Sequence, residues 1–454
     1  MKKRIKTGTQ VAVLCAVAAL GGVYAFGNGA YADAGSQLSI SVYDGTTSCY
    51  IYDASYEADC DASYGSYNID TSTLTLGTGV NGKSVRVSDL SNPGNSYVIK
   101  STADISASLS TPSYATITFD LGEYSWTQND SESSYLSMPT YGTTIMKSGT
   151  LNLISQFTNY NLQIDGGTIN TNAVIDSSDR KEMTTGDVKA ETFVMNGGVL
   201  NMKNGELEIN NASINDGELM IENPYGLGGV VSVSGSGDVD FNLNGGSVTI
   251  DAKGMSKSGI DISSYNNGNV TVNINGGVLN IKNTETGISA GGVASKNTKI
   301  NFNGGVSTFK DSSRYAIKLD YSDDPENAIA FGEDMGIVEP NLYVFWVDEN
   351  YYEGERGQAG IVAENTLTIA EGGTVRRYYG WEIGDGDGED ESELEVPNTD
   401  KSSPKTPDTG VFSGEGNNGI VAMISLGLLA LVSGVAYVAG YIVKRCRGGV
   451  RFQK

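Results

Sequence analysis

In five stretches of the chain, apolar and polar residues alternate on both sides of an Asn-Gly-Gly or Asp-Gly-Gly: LQIDGGTINT, FVMNGGVLNM, FNLNGGSVTI, VNINGGVLNI and INFNGGVSTF. The triplets are Asp165-Gly166-Gly167, Asn196-Gly197-Gly198, Asn244-Gly245-Gly246, Asn275-Gly276-Gly277 and Asn303-Gly304-Gly305. One and three places before each Asn or Asp the residues are apolar, as at Val272 and Ile274. Four and six places after it they are apolar again, except at Thr171 and Ser307. A period of two turns one face of a strand toward a core, so each copy reads as strand, corner, strand. The corner chemistry fits: glycine accepts positive φ without a Cβ clash, and Asn or Asp tolerates left-handed geometry and bonds its own backbone.

Taken singly, such a copy is a hairpin signal. The copies recur, however, at 28 to 31 residues. The exception is one longer gap between Asn196 and Asn244, which holds two shortened copies, NGELEI (204–209) and DGELMI (216–221). A lone hairpin is marginal in water, whereas a unit repeated at this period stacks on its neighbours and shares their core. The expected fold is therefore all-β, a β-solenoid in which each triplet turns a corner. Stacked in register, the Asn side chains could form an amide ladder, a structural role rather than a ligand-binding one. YNIDTSTLTL (67–76), ISASL (105–109) and SGTLNLI (148–154) read as diverged earlier coils, and AIAFGEDMGIVEPN (328–341) with NTLTIAEGGTV (365–375) as a terminal coil. About 12–15 coils at about 4.8 Å each would give a rod of about 60–70 Å.

These repeats resemble the right-handed parallel β-helix of bacterial surface proteins and carbohydrate-binding β-helix proteins, strongly from 148 to 320 and loosely from Ser36 to Tyr379. The right hand is implied by the resemblance, not by the spacing. Such folds carry polysaccharide lyases and glycosidases as well as non-catalytic adhesins, so the fold alone does not choose a function.

The two ends of the chain address its location. Residues 1–32 combine Lys2, Lys3, Arg4 and Lys6 with the apolar run VAVLCAVAALGGVYAF and the small-x-small site Ala30-Tyr31-Ala32, the layout of a secretory signal peptide. Residues 419–443 are uncharged and long enough to span a bilayer as a helix, and the basic tail 444–454 follows, which keeps that side cytoplasmic. Upstream stands Thr406-Pro407-Asp408-Thr409-Gly410. Motif, span and tail together resemble the cell-wall sorting signal of Gram-positive-type surface proteins, with Thr406 where that family's common pattern has Leu. The resemblance implies a sortase as partner, a cut between Thr409 and Gly410, and attachment of Thr409 to the wall. A plain membrane anchor through the C-terminal helix would equally leave the protein on an outer surface.

The expected organisation is thus a signal peptide (1–32), diverged coils (33–147), core coils (148–320), a terminal coil or cap (321–382), an acidic Pro/Ser/Thr linker (383–405), the sorting motif (406–410), the span (419–443) and the tail (444–454). The linker should repel itself and stay extended. Its Asp385, Asp387, Glu389 and Asp390 offer oxygen ligands to calcium but lack the glycine and distal Glu of an EF-hand loop, so a solvated tether is expected and no cofactor.

Charge narrows the partners. The chain carries a net charge of −24, more negative once the basic leader and tail are set aside, which excludes nucleic acid and suits a solvated surface protein. Of four cysteines only Cys49 and Cys60 fall in the exported part, where they can form a disulfide or stand as free thiols. The chain has no histidine, which removes imidazole acid–base catalysis, His-dependent nucleophiles and His-ligated zinc. An enzyme acting on uronic-acid polymers needs cations, yet the exported part has only Arg86, Arg180, Arg314, Arg356, Arg376 and Arg377. Asp251, Asp261 and Asp311 follow strands and could line one edge, and a two-carboxylate glycosidase stays open because its acids can be distant in sequence.

Aromatic residues gather near the terminal coil: Tyr343, Phe345, Trp346, Tyr351, Tyr352, Tyr378, Tyr379 and Trp381. They can stack on sugars or on a partner surface, or cap the open end of the solenoid. The sequence is best read as a surface-displayed adhesin whose partner is an extracellular glycan or another cell's surface. A surface-attached polysaccharide lyase or glycosidase comes second and a passive stalk third.

Overall fold

The computed structural model describes residues 38–375, apart from 90–91, 93, 129–140, 155–156, 173–185, 223–228, 254–257, 293, 341–342, 353–355 and 364. The leader, linker, sorting motif, C-terminal apolar run and tail lie outside the described residues. Among those described, no helix is long and apolar enough to cross a membrane.

Strands account for nearly all the regular structure, wound as a parallel β-solenoid of about eight turns. Each full turn contributes to three parallel sheets. The first carries the strand before the Asn-Gly-Gly corner and contains, among others, Val239–Leu243, Asn269–Ile274 and Asn297–Phe302. The second carries the strand after it, including Ser247–Asp251, Val278–Lys282 and Val306–Lys310. The third contains Gly229–Gly235, Ser258–Ser264, Thr286–Ala290 and Tyr315–Ser322. This third strand per turn is not marked by the Asn-Gly-Gly spacing. It is why about thirty residues make one turn and why the rod has about eight turns, roughly 40 Å, rather than the 12–15 expected from counting every alternating stretch.

The alternation places one residue in two inside. On the first sheet Phe193, Ala212, Phe241, Val272 and Ile300 form one inward column, fully or almost fully buried. Ala212 fits between two phenylalanines, so the column stays filled without overlap. Each such apolar side chain contributes roughly 1.5–3 kcal/mol by leaving water. The two breaks in the pattern are also inside: Thr171 and Ser307 are each 1% exposed, and the Thr171 hydroxyl has no hydrogen-bond partner.

The corners sharpen the reading of the repeat. Asn196 Nδ2 donates to Asp165 Oδ1, and the chain of bonds continues from Asn215 to Asn196, Asn244 to Asn215, Asn275 to Asn244 and Asn303 to Asn275, each at 2.8 Å. Asn215, not Asp216, is therefore the corner residue in the long gap. Ile214 stands opposite Met195, Asp216 occupies the place of the first glycine, and Gly217 takes the positive φ of the second. NASINDGELMI is a complete copy rather than a shortened one. NGELEI is not a corner copy: Leu207–Ile209 pair with Val188–Ala190 in the third sheet. The ladder starts at a carboxylate, which only accepts, and ends where Gly332 follows Phe331 without a side chain to continue it.

Both ends of the solenoid depart from the expected coils. Within Tyr67 to Leu76, Thr73–Leu76 pairs in parallel with Ser96–Ser101 as a coil should, but Gly65–Asn68 folds back on it as an antiparallel hairpin turned at Asn68, whose Oδ1 accepts from the N–H groups of Asp70 and Thr71. Before it, Leu38–Tyr43 and Ser48–Asp53 pair antiparallel, and Cys49 and Cys60 form a disulfide beside them. At the other end Arg356–Ala363 pairs antiparallel with Tyr315–Ser322, and Tyr343–Tyr352 adds outside it. Thr366–Glu371 closes on Val306–Lys310 in the same sense. Ile329–Phe331 keeps the parallel pairing of a terminal coil, with Ile300–Phe302, whereas Thr366–Glu371 belongs to a cap of reversed strands. The cap brings Phe345, Ala359, Ile361, Leu367 and Ile369, all 0% exposed, over the last turn, which would otherwise open its apolar layer to water.

Gly277 has φ +73°, and a Cβ there would lie 2.6 Å from Gly246 O. Gly277→Ala should therefore lower stability by about 2–3 kcal/mol. Asn275→Ala, which removes two exposed ladder bonds, should cost about 1–2 kcal/mol. Urea unfolding followed by far-UV circular dichroism ranks the two; an unchanged midpoint for Gly277→Ala would show that the corner does not need glycine.

Candidate functional site

Inward positions repeat, so recognition must come from outward ones. On the third sheet the register sets one outward row: Thr158, Lys189, Glu208, Ser232, Asp261, Ser289 and Lys318 on successive turns, then Gly360 and Trp346 on the cap strands. The far half of this row concentrates the chemistry. Ser289 stands opposite Asp261, its hydroxyl beside the carboxylate. Lys318 Nζ is 2.9 Å from Asp320 Oδ2, and Gln358 Nε2 also donates to Asp320. Asp320 and Lys318 are sheltered, with side chains 13% and 27% exposed.

Trp346 closes the row. Its indole lies over Gly360, where a Cβ would be 2.8 Å from the ring, so the missing side chain makes room for the aromatic plane. The Tyr315 ring stands 6.0 Å away, tilted by 50°, and Arg314 lies 5.2 Å over Tyr315 while pairing with Glu285 at 3.3 Å. The half-buried Trp346 thus offers an aromatic face beside an ordered line of hydroxyl, ammonium and carboxylate groups. A flat apolar face with polar groups alongside is what a sugar ring requires: C–H groups on one side, hydroxyls at the edge.

Asp261 is the perturbed acid of the row. Burial is the main cause that holds its carboxyl above the usual range, and the Asp320 carboxylate adds to it. The Ser289 hydroxyl and the Lys318 ammonium oppose the shift.

The residues singled out in the sequence separate here. Trp346 belongs to the row. Tyr343 does not: it is 8% exposed and its hydroxyl donates to Thr374 O, so it serves the cap. Tyr351 and Tyr352 lie on the outer cap strand, and their side chains are outside the described residues, as are Tyr378 and Trp381 altogether. Asp251, Asp261 and Asp311 do not line one edge. Asp251 ends a second-sheet strand, bound to Lys282 at 3.1 Å and to Asn283 at 2.7 Å, and Asp311 sits in the turn after that sheet with φ +54°. The corner residues Asp165, Asn196, Asn244, Asn275 and Asn303 hydrogen-bond one another, which occupies their amides. Cys49 and Cys60 lie close to Asp59, but as a disulfide they offer no thiolate to a metal.

Tyr315, Lys318 and Asp320 were missed. Their signal is the third strand itself, visible once VVSVSG, GIDISS, TGISA and YAIKLD are aligned on their own inward residues. A concave region lies elsewhere, a groove of about 350 Å³ on the second sheet lined by Thr127, Asn152, Asn170, Asn201 and Lys203 among others. Its amides bond each other from turn to turn, Asn170 to Asn152 at 2.9 Å and Asn201 to Asn170 at 3.4 Å. It has no aromatic face.

No family model matches the chain, and no curated protein or solved structure matches it.

The raised pKa of Asp261 has a consequence for stability. The folded state holds this proton more tightly than the unfolded chain, whose value is about 3.9. The resulting stabilisation is present at low pH and is lost as pH rises through the folded value. Asp261→Asn, which keeps the shape without the charge, should therefore raise the thermal midpoint near neutral pH. The gain should shrink as pH falls through the folded value, below which the parent carboxyl is also neutral. A variant less stable than the parent at neutral pH would show that the ionised carboxylate is a net stabiliser.

Proposed function

We propose that the chain is a surface-displayed, non-catalytic β-helical adhesin that binds an extracellular glycan along the outward row ending at Trp346. The observation that carries this reading is the indole laid over Gly360 in line with Lys318, Ser289 and Asp261. The signal-like leader and the TPDTG–span–tail order support export and anchoring on an outer surface, with a sortase as the partner that processes Thr409. The chain's lack of histidine supports binding over turnover.

The full chain, purified in detergent and applied to a glycan array with calcium and with chelator, should bind a defined group of glycans. Trp346→Ala should weaken that binding at least about fivefold, since loss of one aromatic platform is worth roughly 1–3 kcal/mol. Undiminished binding by the variant would remove the row from the site. A second reading, a surface-attached glycoside hydrolase, draws on Asp261 and Asp320 as neighbouring carboxyls of unlike environment. Release of new reducing ends from the bound glycan, abolished by Asp261→Asn, would replace the adhesin with that enzyme. For the anchor, Thr409→Ala should leave the protein extractable with detergent, whereas unchanged covalent attachment to the wall would exclude cleavage at this motif.

A further inference from the structure

The charges around the row select among glycans. Both cations beside the aromatic pair are already neutralised within the protein, Lys318 by Asp320 at 2.9 Å and Arg314 by Glu285 at 3.3 Å. A ligand carboxylate, sulfate or phosphate would have to share either cation with the carboxylate already paired to it. Asp261 differs: Ser289 stands beside it, Lys318 acts on it only through space, and among the described residues no ammonium or guanidinium lies within ion-pair distance of it. An anionic sugar laid here would meet an unpaired carboxylate with a second one nearby, inside a chain of net charge −24. A cationic group would meet the opposite field.

Length matters as well as charge. From Asp261 through Ser289 and Lys318 to Gly360 the row crosses three inter-strand steps, about 14 Å at the spacing of neighbouring strands. One sugar ring cannot lie on Trp346 and reach Asp261; a short oligosaccharide along the row can. Aromatic faces add to the preference, because their π clouds attract cations and the C–H groups next to them.

We propose that this end of the third sheet binds an oligosaccharide of amino sugars with free ammonium groups, one ring stacked on Trp346 and an ammonium farther along paired with Asp261. The inference rests on the glycan-binding reading above and deepens it by naming the sugar class. Ser289 and Ser232, on either side of Asp261 in the row, stand where hydroxyls of the same rings would be bonded.

The test is titration calorimetry on the full chain in detergent at physiological salt, which screens general attraction to an acidic protein. Three tetramers are compared: glucosamine, N-acetylglucosamine and galacturonic acid. The glucosamine tetramer should bind at least tenfold more tightly than the acetylated one, and the galacturonic acid tetramer should not bind. Asp261→Asn should bring the glucosamine tetramer down to the affinity of the acetylated one. Trp346→Ala should weaken both. Equal affinity for the two hexosamine tetramers, or a preference that survives Asp261→Asn, overturns the amino-sugar assignment while leaving a glycan site at Trp346. If no tetramer binds the parent chain and the array is blank as well, the glycan-binding reading falls with it.

Discussion

Neighbouring turns approach so closely at the Asn-Gly-Gly corner that Cβ atoms on Gly276 and Gly277 would lie 2.7 and 2.6 Å from the carbonyl oxygens of the turn below. That approach fixes the rest of the solenoid. It brings the corner amides to hydrogen-bonding distance, and it holds the strands on either side in the register that stacks Phe241 over Ala212 and Leu243 over Ile214. A corner one residue longer would turn every inward side chain of the following strand outward. Where a side chain occupies the first-glycine position, as Asp216 and Ser148 do, the corner keeps its length. The chain bulges between Met195 and Asn196, the ladder residue becomes Asn215, and the strand beyond resumes its pairing at Val199 with Glu218.

The same constraint divides the molecule into a uniform part and a variable part. Inward columns and corners must repeat, because each turn is a template for the next. Outward positions carry no such obligation, and on the third sheet they change from Lys189 and Glu208 to Asp261, Ser289 and Lys318. The cap adds what a parallel turn does not. By reversing direction, Arg356–Ala363 and Tyr343–Tyr352 place Gly360 and Trp346 at the end of that row, while Phe345 and Ile361 cover the last apolar layer. One pair of strands therefore closes the core on its inner face and presents the indole on its outer face.

The repeat, its corner chemistry and the amide ladder were legible in the sequence because all three depend on local pattern: alternation with period two, glycine where φ is positive, and Asn at a fixed place before it. The third strand of each turn was not legible from the corner spacing, since loops of different length separate it from its neighbours and no triplet marks its start. For the same reason the ends were read as whole coils, which holds for Thr73–Leu76 and Ile329–Phe331 but not for Gly65–Asn68 and Thr366–Glu371. Alternating residues in YNIDTSTLTL and in NTLTIAEGGTV look the same whether the strand pairs in parallel or antiparallel, and only the partner decides.

By itself the sequence determined that the chain is all-β, that it repeats, that imidazole chemistry is absent and which aromatic residues cluster near the end of the repeats. The tertiary structure decided which of them share a surface. Tyr343 and Trp346 are three residues apart on one strand, yet one is buried against Thr374 and the other lies on Gly360 beside Tyr315. Asp261 and Lys318, 57 positions apart by their numbers, fall on one row because two turns of winding intervene. The physical reason is that winding converts a distance of about thirty residues into one inter-strand step, so neighbours on the surface are set by the register of whole turns and not by any pattern within one of them.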